Sequence, residues 1–161
     1  MCCKYTPDGT QHLERSTQIG WLGAGPLPGA SDPLAAVNGR QRWIDAAARS
    51  DDESLAPFVR QAAVDAGWHG LLDAVFGNSP FLTQCAIVDP GHFRTLLDQG
   101  PEPVFESLLA MVSDEALITA GIDKVMQVLR QLKRRAALTI GVADITGRWT
   151  GEEVTQAVSR F

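Results

Sequence analysis

The strongest constraint on the fold is a helix-start signal that recurs through the second half of the sequence. In Ser79-Pro80 and Asp89-Pro90, an oxygen-bearing side chain precedes a proline. Such a side chain caps a helix N-terminus, and proline is tolerated at the first helical position because its missing N–H has no partner there. Gly100-Pro101 follows a few residues later. The pattern predicts consecutive short helices, and no alternating strand pattern competes with it.

Apolar residues recur at one-turn spacing from Glu53 onward, which is typical of amphipathic helices. We therefore predict an all-α fold, an array of antiparallel amphipathic helices preceded by a loose Gly/Pro-rich tail. Predicted inward-facing positions include Phe81, Leu82, Cys85, Ala86 and Val88 in one helix, and Phe93, Leu96 and Leu97 in the next. The longest element begins near Ile122, and its C-terminal half, apolar on two sides, should be the more buried half.

Glycine and proline are concentrated in residues 20–29, where they break any helical or strand period. We predict a flexible tail over residues 1–38 and a helical segment over residues 39–161, with a short first helix from Arg40 to Arg49. Thr150 and Glu153 form a capping-box pattern that opens a last helix. No stop signal follows that helix, so we expect the segment to be incomplete at its C-terminus.

The charge is unevenly distributed along the 161 residues, whose net charge is −5. Eleven acidic and two basic residues give residues 51–120 a charge of −9, whereas seven basic and four acidic residues give residues 121–161 a charge of +3. An acidic chain of this kind argues against binding nucleic acid through a basic surface. Three cysteines cannot pair into a disulfide framework, and no apolar run is long enough to span a membrane. These features predict a cytoplasmic protein without a membrane segment.

No arrangement of residues typical of catalysis is evident. His12, His69 and His92 lack a second histidine at metal-ligand spacing, and we interpret them as surface or capping residues. Cys2-Cys3 lacks the spacing of a redox or zinc motif, and Cys85 lies among apolar residues as a small core residue would.

Two further patterns have structural interpretations. The acidic run at residues 51–53 precedes a helix, where negative charge interacts favourably with the N-terminal dipole. The glycines at residues 23, 25 and 29 lack the spacing, the strand and the helix of a dinucleotide-binding loop.

The most distinctive charged feature is a basic cluster on the long helix, formed by Arg130, Lys133, Arg134 and Arg135. Three interpretations remain open: a solvated helix face, a docking face for an acidic surface of this chain or of another protein, and a contact with nucleotide or RNA. The third lacks the aromatic or glycine-rich neighbours that such a contact uses. We retain the four residues as a possible docking face.

Two separated motifs point to a family. Residues 76–82 (FGNSPFL), followed by Pro90, and residues 129–138 (LRQLKRRAAL), leading into residues 143–149 (ADITGRW), resemble the N-terminal region of glutamine-synthetase adenylyltransferases. The resemblance extends through EEVT at residues 152–155 and SRF at the end of the chain. In that family, the pattern belongs to a helical segment that precedes a nucleotidyltransferase core in the adenylyl-removing half of a two-headed enzyme.

The resemblance implies transfer of AMP from ATP to a tyrosine of glutamine synthetase, phosphorolytic removal of that AMP, and control by a PII signalling protein. It also implies Mg²⁺ and ATP as cofactors of the full-length enzyme. The family holds its metal with an Asp-x-Asp pair, which this sequence lacks. We therefore assign no catalytic, cofactor-binding or metal residue here, and we expect neither cofactor to bind this chain.

The role implied for this chain is a helical scaffold that contacts the remainder of its own enzyme. The alternative is a stand-alone helical protein-binding or regulatory module that docks an acidic partner, and a nucleic-acid-associated protein ranks third. If the chain were expressed alone, we expect a marginal helical array, in which Val142, Ile145 and Val158 would lose the cover of the missing core.

Overall fold

The computed structural model describes residues 20–23, 25–113 and 121–161. These residues form helices and no strands, which confirms the all-α prediction. The described helices are α1 (Pro33–Ala48), α2 (Leu55–Val64), α3 (Ala66–Asn78), α4 (Pro80–Val88), α5 (Pro90–Gln99), α6 (Pro101–Val112), α7 (Ile122–Ile145) and α8 (Gly151–Arg160).

The helix starts follow the predicted capping chemistry. The Ser79 side chain accepts a hydrogen bond from the backbone N–H of Leu82, and the Asp89 side chain accepts one from that of His92. At the start of α8, Thr150 and Glu153 form the complete capping box. The break between α2 and α3 falls at Asp65. A carboxylate cap ends one helix and begins the next there.

The first helix begins earlier than predicted. It starts at Pro33 and not at Arg40, because Asp32 caps it by accepting from the backbone N–H of Ala35. Asp32-Pro33 is the same cap-and-proline signal that marks α5. The boundary predicted at residue 38 is therefore too late, because residues 33–38 belong to α1. The wider division into a tail and a helical segment stays a prediction.

The described residues before α1 have no helix or strand, but they contact the helices. The indole Nε1 of Trp21 donates to the carbonyl of Leu97 at 2.7 Å. We call these described residues before α1 (20–23 and 25–32) the approach segment. Asn78 holds it in place, since its side chain accepts from the backbone N–H of Ser31 at 2.8 Å and donates to the carbonyl of Gly29 at 3.0 Å. These contacts explain part of the FGNSPFL motif, whose asparagine fixes the chain before α1 and whose serine caps α4.

An aromatic trio forms the centre of the core. The rings of Trp43, Phe76 and Phe93 lie 5.1 to 6.0 Å apart and are tilted against one another. Leu96 and Leu97 are fully buried beside them, which confirms the prediction for α5. The prediction for α4 is wrong at both of its ends.

Phe81 is 60% exposed and Val88 is 50% exposed. Both lie on the side of α4 that faces away from its neighbours, because the buried Thr83, Cys85 and Ala86 already fill the inner side. Thr83 was not predicted to face inward, and its hydroxyl donates to the carbonyl of Ser79.

The long helix α7 divides into two unlike halves. All of its buried residues lie from Leu132 onward, which confirms that the C-terminal half is the more buried half. Val142 is fully buried, so the expectation that it would lose its cover is wrong. In the N-terminal half, Ile122 is 78% exposed and Met126 is 46% exposed. One apolar face of that half therefore lacks a partner among the described residues.

The final helix is fastened to α6 by the residues of the ADITGRW motif and by its own last turn. Gly147 adopts a positive φ of 62°, which glycine allows without strain, and the ring of Trp149 then packs against Phe105 at 5.3 Å. Arg148 pairs with Glu102 at 2.9 Å. With this attachment in place, α8 also contacts α7.

Candidate docking site

The basic cluster does not form one continuous patch. Arg135 turns inward, and its Nε donates to Oδ2 of Asp89 at 2.7 Å. Arg130, Lys133 and Arg134 are exposed. Because successive helical residues point about 100° apart, Arg135 lies on a different side of α7 from the other three. Of the four residues predicted as a docking face, Arg130, Lys133 and Arg134 share one exposed side of α7, whereas Arg135 does not.

Arg135 belongs to a partly buried polar cluster with Asp89 and His92. The His92 ring is 8% exposed, and its Nε2 lies 3.2 Å from both the carbonyl of Arg135 and the hydroxyl of Thr139. Burial and the nearby Arg135 charge lower the pKa of His92 to about 4, although the Asp89 charge opposes this shift. His92 is therefore neutral near pH 7. Of its two interpretations, a surface residue is wrong because His92 is buried, whereas its backbone N–H does take part in the cap of α5.

The same cluster acts on Asp89 in the opposite sense. Burial alone would raise the pKa of its carboxyl, but hydrogen bonds from Arg135 and from the His92 backbone outweigh that effect and lower the pKa. Asp89 thus joins two elements as an ion, because it caps α5 and pairs with α7. Sequence spacing could not reveal this cluster, since Asp89 and Arg135 are 46 positions apart.

Beside the exposed basic residues lies an open apolar groove of about 500 Å³ between α7 and the C-terminal end of α8. We call it the α7–α8 groove. Val158 is 62% exposed within it, which agrees with the expectation that this side chain lacks cover. The residues that line the groove are Leu129, Lys133, Ala136, Ala137, Ile140, Val158 and Phe161.

The groove combines residues that the sequence analysis treated separately. Lys133 belongs to the predicted docking face, whereas Leu129 and Ile140 are apolar residues of the predicted long helix. The three lie on one side of α7, at relative positions i, i+4 and i+11. The helical spacing of these three residues is visible in the sequence, but the wall formed by Val158 and Phe161 depends on the packing of α8.

The other candidate residues have structural roles where they are described. Cys85 is 4% exposed, and burial raises the pKa of its thiol although the Arg134 charge opposes this, which confirms a core residue. His69 is exposed and lies 3.1 Å from Oδ2 of Asp73. Asp52 accepts hydrogen bonds from the side chain and the backbone of Ser54, which lower its pKa. Residues 2, 3 and 12 lie outside the described residues.

Among the described residues, no three His, Cys, Asp or Glu side chains come together as a metal site would require. No single described helix is long and apolar enough to cross a membrane, although α3 and α4 together reach that length and composition across a 115° bend.

Comparison with known proteins identifies the family. The family model described as glutamate-ammonia ligase adenylyltransferase matches residues 69–161, more than half of the chain. The chain belongs to the glutamate-ammonia ligase adenylyltransferase family. The match contains all of α7 and α8, and therefore both the exposed basic residues and the α7–α8 groove.

Individual relatives extend the match toward the N-terminus. A bifunctional glutamine synthetase adenylyltransferase/adenylyl-removing enzyme of Bradyrhizobium sp. (strain ORS 278) is 30% identical over 136 residues, which are 84% of this chain and 13% of the relative. The enzyme with the same name from Caulobacter vibrioides is 30% identical over 130 residues, 81% of this chain and 12% of the relative. In one from Rhodopseudomonas palustris (strain HaA2), the identity is 35% over 88 residues, 55% of this chain and 9% of the relative.

The chain thus spans only about a tenth of the length of these relatives. No solved structure matches it.

Proposed function

We propose that this chain is a non-catalytic helical scaffold of an enzyme that attaches AMP from ATP to a tyrosine of glutamine synthetase and removes it by phosphorolysis. Control of nitrogen assimilation follows from that chemistry. The observation that carries the proposal is the family match over residues 69–161 in a chain that spans about a tenth of its relatives. The predicted helical segment of residues 39–161, extended to the start of α1 at residue 33, then belongs to the adenylyl-removing half.

The donor set of the described residues supports a non-catalytic role. Transfer of AMP requires carboxylates that hold divalent cations against the phosphates and align the attacking oxygen. Asp89, the most buried paired carboxylate described above, is already engaged by Arg135 and by the backbone of His92. We therefore propose that Mg²⁺ and ATP bind in the remainder of the enzyme, outside this chain.

Partners follow from the same proposal. We assign glutamine synthetase as the target and a PII protein as the regulator, both in the cytoplasm, with no nucleic acid or membrane involved. Arg130, Lys133 and Arg134 form the face through which this scaffold docks onto an acidic protein surface. Their exposure supports this role, because no described salt bridge engages them.

A chimaera tests the scaffold role. The segment of the Caulobacter relative that matches this chain is either deleted or replaced by this chain, and both labelling of glutamine synthetase with AMP and phosphate-dependent release of ADP are measured. We expect the deletion to abolish adenylyl removal and the chimaera to restore it. A deletion variant with full adenylyl-removing activity would contradict the proposal. So would transfer of label from α-labelled ATP to glutamine synthetase by this chain alone.

A stand-alone protein-binding module is the second candidate function. The α7–α8 groove favours it, because an open apolar groove beside basic residues is a surface that a partner can occupy. A chimaera without adenylyl-removing activity, together with tight binding of an acidic protein by this chain, would favour this candidate over the scaffold.

A further inference from the structure

We propose that the α7–α8 groove binds an acidic amphipathic helix of a partner protein. The inference deepens the docking role proposed above and rests on it. It adds the place of binding, the secondary structure of the partner and the chemistry of the partner's two faces.

The first argument is the shape of the groove. From Leu129 to Ile140, the groove follows α7 for about 16 Å, or three helical turns. Its floor contains Ala136 and Ala137, whose small side chains allow another backbone to come close. On one side, Val158 and Phe161 form a wall. A groove of this length with small side chains in its floor suits a helix laid along it, the mode in which an apolar helix face enters a hydrophobic groove.

The second argument is that the apolar surface extends beyond the groove. Met126 and Ile122 continue the same face of α7 toward its N-terminus, at one-turn spacing from Leu129, and both are exposed. From Ile122 to Ile140 the face spans about 27 Å, enough for a partner helix of about 18 residues. A stretch of apolar surface this long is unusual on a protein without a binding role.

The third argument is charge. Lys133 lies in the groove, and Arg130 and Arg134 lie one turn apart along its edge. None of the residues that line the groove is acidic. Two exposed acidic residues limit the basic stretch: Asp123 beside Ile122 at its N-terminal end, and Asp144, one turn beyond Ile140, at its C-terminal end. A partner helix with Asp or Glu beside its apolar face would complement these charges, and electrostatic complementarity of this kind selects the partner and its orientation.

Two other occupants fit the surface less well. In a symmetric dimer formed through this groove, the same basic residues of both copies would face one another, and their repulsion would oppose association. An anionic membrane would match the charge, but a flat bilayer cannot follow a trough walled by Val158 and Phe161. An acidic helix satisfies the charge and the concave shape together.

The test uses two labelled peptides of about 18 residues, each designed as a helix with the same Leu/Ala face. One peptide carries Glu at all remaining positions, and the other carries Lys there. Their affinities for the 161-residue chain are measured by fluorescence anisotropy. We expect the Glu peptide to bind at least about tenfold more tightly than the Lys peptide at low salt, and the difference to shrink as added salt screens the charges. Equal binding of the two peptides, or no binding of either, would overturn the proposal.

Surface variants locate the binding site. The triple variant Arg130→Glu, Lys133→Glu, Arg134→Glu should reverse the preference toward the Lys peptide. The double variant Leu129→Ser, Val158→Ser should weaken both peptides by about tenfold, because it removes exposed apolar contacts. Arg60→Glu changes an exposed basic residue of α2 and serves as the matched control with unchanged binding. Far-UV circular dichroism verifies that each variant is folded. Undiminished binding of the Glu peptide by the folded triple variant, or of either peptide by the folded double variant, would overturn the proposal.

Two further outcomes would assign the groove to another occupant. If the chain sedimented with vesicles of phosphatidylcholine and phosphatidylserine and the double variant did not, the occupant of the groove would be a membrane and not a helix. If light scattering showed a dimer of the chain and a monomer of the double variant, the occupant of the groove would be a second copy of the chain. Peptide binding measures this inference alone and the chimaera measures the scaffold role alone, so the failure of one is distinguishable from that of the other.

Discussion

The aromatic core and the α7–α8 groove arise from the same sequence signal, apolar residues at one-turn spacing, yet one is closed and the other is open. Trp43, Phe76 and Phe93 lie on α1, α3 and α5, and α2 and α4 contact each of these three helices. At the groove and along its extension toward the N-terminus of α7, the corresponding face is exposed at Leu129, Met126 and Ile122. The comparison shows that periodicity identifies an apolar face but does not identify what covers it.

Truncation of a core aromatic residue should give the largest effect. We expect Phe93→Ala to lower the free energy of unfolding by about 3 to 5 kcal/mol, because it removes a fully buried ring and leaves a cavity between Trp43 and Phe76. Urea denaturation of the variant and the wild type measures the difference. A loss below about 1 kcal/mol would mean that this region is not the closed core described here.

The pH dependence of stability should reveal the buried His92 next to that core. Its folded pKa of about 4 lies below its ordinary value of 6.5, so between these values the unfolded chain binds more protons. The stability from neutral His92 is fully present above pH 6.5 and is lost as the pH falls toward 4. Urea denaturation at several pH values should show that the free energy of unfolding of the wild type decreases by up to about 3 kcal/mol over this range. The decrease should be smaller in His92→Gln. Equal pH slopes for the two proteins would place His92 in solvent.

Glycine substitutions compare a closed contact with an open one. A Cβ at position 77 would lie 2.4 Å from the Cβ of Ala30, whereas a Cβ at position 91 would meet no atom within 4 Å. We expect Gly77→Ala to destabilise the protein by about 1 to 3 kcal/mol through this overlap. The matched variant Gly91→Ala should be neutral or stabilising by up to about 1 kcal/mol, since alanine favours the helix.

Thermal unfolding of the two glycine variants decides the comparison. If Tm shifted equally in both variants, the approach segment would not pack closely on α3. The low stability expected for Gly77→Ala depends on that close packing.

The smallest effect is expected at the edge of the groove. Val158→Ser should change the free energy of unfolding by no more than about 0.5 kcal/mol, because the side chain is 62% exposed. Urea denaturation measures it alongside Phe93→Ala. A loss comparable to that of the core variant would show that Val158 is covered in the chain as it stands.

The sequence predicted the helices and most of their caps, because capping depends on residues within one turn of each helix start. Ser79, Asp89 and Thr150 act as expected for that reason. The prediction of α1 missed Asp32-Pro33, although it is the same local signal, because the glycines and prolines before it dominated the interpretation. That error was avoidable from the sequence.

The candidate site was only partly predictable. The charge of Lys133 and the apolar character of Leu129 are local properties, and both were recognised. The inward turn of Arg135 depends on Asp89, which is 46 residues away, and the groove wall depends on how Trp149 packs against Phe105 to place α8. Contacts between distant parts of a chain leave no spacing pattern in a single sequence.

Hydrogen exchange by mass spectrometry tests the central claim that this chain combines a closed core with an open groove that binds an acidic helix. In the free chain, we predict the slowest exchange in α3 and α5 and fast exchange in the N-terminal half of α7 and in α8. Addition of the Glu peptide should slow exchange in α7 and α8 alone. Exchange in the N-terminal half of α7 that is already as slow as in α3, or peptide protection confined to other helices, would contradict the account.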